Sequence, residues 1–277
     1  MKTLSGQVVL LTGASGGLGT YLAKAFAEEG AHLMLVAYPG APMEDLKKTL
    51  QSMGARAIAL VADLRDHAQR QLVVAEAIKE FGRIDILVNN AGVEFTSPYH
   101  QLPEQTVRDI LNVNLEAPMI LTHMVLPEML KRKSGFIVNM SSLAGKSSPA
   151  FQEPYAASKA GLIAFTSSLR ATYRGSGVSA TVICPGFVEA GIYARLKANT
   201  GCAAPALLGT SQPETVVRAV MRAVHNDLPE VIISRYPFRP LLAFISLFPR
   251  GGEAVIRMTG AHAFFERIVE AQAKKGK

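Results

Sequence analysis

The sequence predicts an α/β protein built on a doubly wound parallel sheet of about seven strands, and three observations lead there. Seven short runs are apolar throughout rather than alternating: Gln7 to Leu11, His32 to Ala37, Arg56 to Val61, Ile84 to Asn89, Gly135 to Met140, Val178 to Ile183 and Val231 to Ser234. Strands of that kind are buried on both faces. Helical spacing of apolar residues separates them, which is the alternation that joins parallel strands through crossover helices. The third observation is that polar and turn-forming residues collect directly behind the strands, where a doubly wound sheet opens its ligand crevice.

The first run closes in Thr12-Gly13-Ala14-Ser15-Gly16-Gly17-Leu18-Gly19, after which Tyr21, Leu22, Ala25 and Phe26 recur at helical spacing. Glycines let the backbone turn tightly and approach a pyrophosphate, whose charge the free N–H groups of a helix N-terminus stabilise. The spacing is Gly-x-x-x-Gly-x-Gly, and a plain strand-to-helix turn accounts for it equally well. The second run ends Val36-Ala37-Tyr38. Asp63-Leu64 follows the third, Asn89-Asn90-Ala91-Gly92 the fourth, Ser141-Ser142 the fifth and Pro185-Gly186 the sixth. Singly these are ordinary turn residues. Together they occupy one rim.

Pro154 suits a first helical position, and the segment behind it runs apolar-rich to Arg174-Gly175-Ser176-Gly177, where glycines can stop a helix. Tyr155 and Lys159 therefore share a face one turn apart. A phenol with an ordinary pKa near 10 is a poor base at neutral pH, and an ammonium beside it stabilises the phenolate. The pair is a proton-transfer device, although such a pair taken alone is far more often just a solvated helix face. Farther on, Phe187 to Thr210 separates the sixth strand from a helix over Pro213 to His225 and carries Ile192, Tyr193, Leu196, Ala203, Ala204, Leu207 and Leu208. A loop of this length at the ligand rim is commonly functional, and its apolar content points to an apolar substrate or to packing on the domain.

At 277 residues, 49% hydrophobic and 18% charged, the chain is no disordered polyelectrolyte, and no break in composition divides its core. Cys184 and Cys202 lack framework spacing, which suggests a reducing compartment. Met1 to Gln7 leads straight into a strand rather than a signal segment, so a cytoplasmic location is expected. Neither a metal site nor a nucleic-acid partner is expected. Of the net charge of +7, the stretch 235–277 carries eight Lys or Arg against Glu253, Glu266 and Glu270. The chain thus reads as a single catalytic domain over 1–234 with a basic, apolar and helical C-terminal extension over 235–277. In the extension, Pro240 to Pro249 is an apolar run flanked by Arg235, Arg239 and Arg250, far too short to span a bilayer. Ala254, Val255, Met258, Ala261, Phe264, Phe265, Ile268 and Val269 form a second apolar stripe. The extension either packs over the substrate mouth or a neighbouring subunit, or lies against an anionic membrane surface.

From about Ser5 to Ser234 the chain resembles the short-chain dehydrogenase/reductase family. The resemblance rests on Thr12-Gly13-x-x-x-Gly17-x-Gly19, Asn89-Asn90-Ala91-Gly92, Asn112-Val113-Asn114, Ser141-Ser142 and Tyr155-x-x-x-Lys159. It implies a Rossmann-type fold and NAD(P)-dependent hydride transfer between a ketone or aldehyde and an alcohol. Tyr155 is then the acid/base, Lys159 also holds the nicotinamide ribose, Ser142 hydrogen-bonds the substrate oxygen and Asn114 positions a proton-relay water. The implied dinucleotide contacts are Thr12, Gly13, Ser15, Gly17, Leu18, Gly19, Ala37, Tyr38, Asp63, Leu64, Asn90, Ala91, Gly92, Tyr155, Lys159, Pro185, Gly186 and Val188. The family also implies a homodimer or homotetramer formed through long helices, here about Glu104 to Lys131 and Pro154 to Tyr173.

Two departures stand out. Ala190 occupies a place where the family often has a threonine that seats the nicotinamide amide, and the second strand ends with neither an acid nor a base. Without an acid at Ala37 nothing repels a 2′-phosphate, which favours NADP(H) slightly over NAD(H), with His32 or Arg65 as candidate phosphate partners. The sequence is therefore read as a carbonyl reductase or alcohol dehydrogenase for a small apolar, lipid-like, acyl or steroid-like substrate. The alternatives are a non-catalytic dinucleotide-binding regulator and a membrane-surface scaffold on the same fold.

Overall fold

The apolar runs pair as β1 (Val8–Thr12), β2 (His32–Ala37), β3 (Ala57–Val61), β4 (Ile86–Asn89), β5 (Gly135–Met140), β6 (Val178–Pro185) and β7 (Glu230–Ile233). They form one sheet in the order β3-β2-β1-β4-β5-β6-β7, and every neighbouring pair is parallel. The computed structural model describes residues 3–275. Met1 and Lys2, at the head of the expected non-secretory N-terminus, and Gly276 and Lys277, closing the basic extension, lie outside the described residues. Strand order reverses between β1 and β4, which sets the ligand crevice at their C-terminal ends.

Successive residues of each strand serve opposite cores. Val9 and Leu11 of β1 pack with Leu22 and Phe26 of α1 (Gly17–Glu28) and Val216 and Val220 of α9 (Pro213–Asn226). Leu10 joins the other core, with Val73 and Val74 of α3 (His67–Phe81) and Leu121, Val125 and Met129 of α5 (Ala117–Lys131). That two-sided burial is why the strands read as continuous apolar runs. The remaining crossover helices are α2 (Glu44–Ser52), α4 (Glu104–Leu111), a short α6 (Ala144–Ser147) and α7 (Glu153–Thr172).

Two features differ from the expected elements, and the expected helical extension forms beyond them. The helix expected over Glu104 to Lys131 is interrupted by a π turn at Asn112–Glu116, between α4 and α5. Asn114 within it is fully buried and bonds off the helix, with Nδ2 donating to Val93 O at 2.8 Å and Ser158 Oγ at 3.2 Å and Oδ1 accepting from Val93 N at 2.9 Å. The segment expected as a loop over Phe187 to Thr210 contains α8 (Gly191–Thr200). Beyond β7 the extension folds as α10 (Arg239–Leu247), α11 (Pro249–Met258) and α12 (Ala261–Lys275). Phe264, Phe265 and Ile268 of α12 bury with Tyr193 of α8, and the Phe187 ring meets Phe264 edge-on at 5.2 Å. The extension thus packs back on the chain that precedes it.

Candidate active site

At the switch point the turn behind β1 and the segment behind β4 are stapled together. Thr12 Oγ1 accepts from Asn90 N at 3.0 Å and Ala91 N at 3.1 Å, while Asn90 Nδ2 donates to the carbonyls of Thr12 and Gly13, each at 3.1 Å. Gly13, with φ +64°, comes so near this segment that a Cβ on it would stand 2.8 Å from Ala91 Cα. Gly17, with φ +36°, abuts Gly191 at the start of α8 and likewise has no room for a side chain. The first turn of α1 carries no acidic side chain and its N-cap Gly16 makes no side-chain cap; Gly19 N donates to Gly16 O, while Gly17 and Leu18, ahead of it, line the crevice with no side-chain cap. A pyrophosphate fits that cradle by charge and by space.

Helix α7 brings Tyr155 and Lys159 to the same crevice, one turn apart and both buried. Lys159 Nζ donates to Met140 O at 2.8 Å and lies 5.7 Å from the centre of the Tyr155 ring. Burial pushes the Tyr155 phenol up to about 12; a hydrogen bond with Ser142 pulls the other way, and the Glu94 charge adds to the rise. Burial pushes the Lys159 ammonium down to about 8. The expectation that Lys159 lowers the Tyr155 pKa is corrected here, because removal from water penalises both charged forms. The phenol is therefore held protonated.

At the other end of the crevice, β2 delivers Ala37 and Tyr38 and β3 leads to Asp63. Arg65 is the organiser: it donates to both Asp63 oxygens, to Asp109 Oδ2 at 2.7 Å and to the Tyr38 hydroxyl at 3.0 Å. Its hydrogen bond lowers the Asp63 pKa, and its own rises. His32 is removed from consideration as a phosphate partner. It begins β2 at the N-terminal end of the strands, away from the crevice, accepts from Arg56 N at 3.2 Å and stacks on Phe81.

One cavity of about 640 Å³ connects these parts. Gly13, Ser15, Gly17, Leu18, Ala37, Tyr38, Asp63, Leu64, Asn90, Ala91, Gly92, Ser142, Tyr155, Lys159, Pro185, Gly186 and Val188 all line it. Thr12, Gly19 and Asn114 do not. Thr12 and Asn114 stand behind the wall as clamps, while Gly19 lies against the Gly13 carbonyl. Ala190, where a threonine was looked for, is the N-cap of α8 and offers no hydroxyl. Sequence reasoning missed Glu94, Gln152 and Arg195, which also line the cavity. Glu94 was findable, since it stands two residues past Gly92 on the rim that collects functional groups. Gln152 and Arg195 carry no local signal, because only the fold turns them inward.

The short chain dehydrogenase family model matches residues 7–201. The chain belongs to this family. Over 281 residues it is 38% identical to the ketoacyl reductase HetN of Nostoc sp., covering 100% of this chain and 97% of that one, so the extension has a counterpart there. It is 33% identical over 221 residues to the 3-oxoacyl-(acyl-carrier-protein) reductase FabG of Thermotoga maritima, covering 79% of this chain and 90% of the relative. A metagenomic short-chain oxidoreductase solved in complex with NADP superposes with a TM-score of 0.71 at 28% identity, over 84% of this chain and 98% of that one.

Proposed function

We propose that this short-chain dehydrogenase is a carbonyl reductase that transfers hydride between a nicotinamide dinucleotide and an apolar ketone or aldehyde. The observation that carries the reading is Tyr155, held protonated by burial beside Ser142 and Lys159 in a cavity whose far end is the glycine cradle. The bound dinucleotide supplies the hydride. As charge grows on the carbonyl oxygen, Ser142 and Tyr155 stabilise it by donating hydrogen bonds, and Tyr155 then releases its proton to that oxygen. Lys159 would hold the ribose and, when charged, stabilises the phenolate left when the Tyr155 phenol gives up its proton. Asn114, clamped behind Gly92, positions the relay that reprotonates the pair. A regulator that only bound a dinucleotide has no use for Tyr155 and Lys159 together.

Relatives named as ketoacyl reductases and a neighbour solved with NADP support this reading. We assign the catalytic unit to 1–234 and treat 235–277 as an extension that closes its mouth, since Phe238, Leu241, Ile245, Ile256 and Phe265 line the cavity. The apolar contribution of α8 and the extension favours a lipid-like substrate. Arg65 beside Tyr38 favours NADP(H) modestly, because its charge is already shared by Asp63 and Asp109. Titrating NADPH and NADH against the protein and assaying both with a panel of acyl, long-chain and steroid-like ketones tests the proposal. Tight cofactor binding with turnover of an apolar ketone is expected. Clearly tighter NADH overturns the cofactor preference, and no turnover of any carbonyl overturns the reductase.

A second observation concerns the outer face of the extension. Leu247, Phe248 and Met258 are 73%, 58% and 81% exposed, with Arg250 and Arg257 alongside. Among the described residues no helix is long and apolar enough to cross a membrane. We read this face as a peripheral contact with an anionic membrane surface on the cytoplasmic side, next to the mouth through which a lipophilic ketone enters.

A further inference from the structure

Glu94 is a carboxyl group in a cavity that is otherwise mostly apolar, and the reaction proposed above does not use it. Its loop is fixed in place: Ser97 N donates to Phe151 O at 3.1 Å, and Thr96 and Gln152 are both buried. Gln152 Nε2 donates to Glu94 Oε1 at 2.7 Å, and Thr96 Oγ1 donates to the same oxygen. Oε1 is therefore clamped. Glu94 Oε2 takes no hydrogen bond among the described residues, although a carboxylate can accept about four. Burial raises the Glu94 pKa, opposed by its hydrogen bonds with Thr96 and Gln152 and by the charge of Arg195 on α8, which also lines the cavity; among the described residues no ion pair joins Glu94 and Arg195. Gln152, which holds Glu94, is the N-cap residue of α7 three positions before Tyr155, and all three line the same cavity, which places Glu94 near the reacting end of the pocket.

Glu94 is half-buried and its Oε2 is not shut off from solvent, so a substrate that displaced water from this part of the cavity would leave half of the carboxylate's acceptors unused, which is costly unless the substrate fills them. A purely apolar substrate would seal that cost in, whereas one carrying a donor would relieve it. Resting on the reading that a ketone is reduced at Tyr155, we propose that Glu94 Oε2 is a polar subsite of the substrate pocket that accepts a hydrogen bond from a hydroxyl on the substrate close to its carbonyl. The substrate class narrows accordingly to hydroxyketones with an apolar body. Thr96 and Gln152 are the positioning residues, holding Oε1 so that Oε2 points to the pocket.

The test uses the full chain with NADPH or NADH and a probe series of 2-decanone and its singly hydroxylated derivatives, with the hydroxyl placed at successive carbons from the carbonyl. The best hydroxylated member should exceed 2-decanone in kcat/KM by at least about tenfold, as a hydrogen bond to a charged acceptor implies. Glu94→Leu should abolish that ratio, and Glu94→Gln, which keeps a weaker neutral acceptor, should lower it. Gln152→Leu removes one of the two clamps on Oε1 but keeps the carboxylate and Thr96, and should lower the ratio less than Glu94→Leu does. Absence of any preference in the wild type, or the same preference in Glu94→Leu, overturns the subsite. If the leucine variant does not fold, an unchanged ratio in Glu94→Gln overturns it instead. If the wild type reduces no ketone at all, the reductase reading fails on its own, and calorimetric binding of the same compounds to the NADP⁺-loaded protein decides the subsite. Tighter binding of a hydroxylated ketone that is lost in Glu94→Leu supports it, and equal binding overturns it.

Discussion

Tyr155 and Lys159 show how burial, more than their mutual contact, sets the chemistry available to the pair. With its phenol pushed up to about 12, Tyr155 is an acid throughout the neutral range, which suits reduction. Tyr155→Phe removes the donor while leaving the glycine cradle intact. Turnover is expected to fall by roughly 10²–10⁴-fold with little change in cofactor affinity, read by steady-state kinetics and fluorescence titration. Lys159 gives a stability test. Its folded pKa of about 8 lies below the ordinary 10.5, so between those values the unfolded chain holds a proton that the native state has released. This group therefore favours the folded state increasingly as pH rises through that window. Tyr155 and Cys184, both pushed up to about 12, act in the opposite sense above their ordinary values, so the comparison must be with a variant. Urea unfolding of wild type and Lys159→Met at about pH 7 and about pH 9 should show the difference moving toward the wild type at the higher pH. A constant difference contradicts the burial argument.

At the scale of elements, the contact that matters is between α8 and the turn before α1. Gly17 and Gly191 meet backbone to backbone, so the rim helix seats directly on the cradle. Behind α8 lies α12, whose Phe264 is wholly buried among Tyr193, Phe187 and Phe265. Phe264→Ala should cost about 3–5 kcal/mol where the structure cannot collapse into the space. Because that loss falls on the packing of α8 and α12 rather than on the sheet, local protection of residues 191–200 in hydrogen exchange should drop more than that of β4 or β5. Uniform loss across the chain would show that the extension and the sheet unfold as one unit.

For the whole molecule, two surfaces carry expectations. The long helices α4, α5 and α7 leave Leu111 and Met119 exposed beyond what the sheet covers, and a dimer or tetramer through them is expected by light scattering at micromolar concentration. A monomer there contradicts it. The outer face of α10 and α11 should bind anionic phosphatidylserine vesicles at low salt and release them as salt rises, since its attraction combines apolar insertion with screened charge. Replacing Leu247 and Phe248 by serine should abolish co-sedimentation without altering the secondary structure. Persistent binding in that variant would place the contact elsewhere.

The sequence by itself determined the sheet, its parallel sense and the rim on which the polar residues gather, because strands buried on both faces must be apolar throughout and their connections must be helical. Tyr155 and Lys159 were legible for the same kind of reason, being four residues apart on one helix. What tertiary structure decided is whatever depends on groups far apart in the chain. The π turn at Asn114 follows from hydrogen bonds to Val93 and Ser158 that no local pattern encodes. Arg65 could be named as a candidate, yet only the approach of Asp63, Asp109 and Tyr38 shows its charge already shared. Gln152 reaches Glu94 across 58 residues, and the direction of the Tyr155 pKa turned on how deeply the helix is buried, a quantity set by packing from every side and absent from any stretch of sequence.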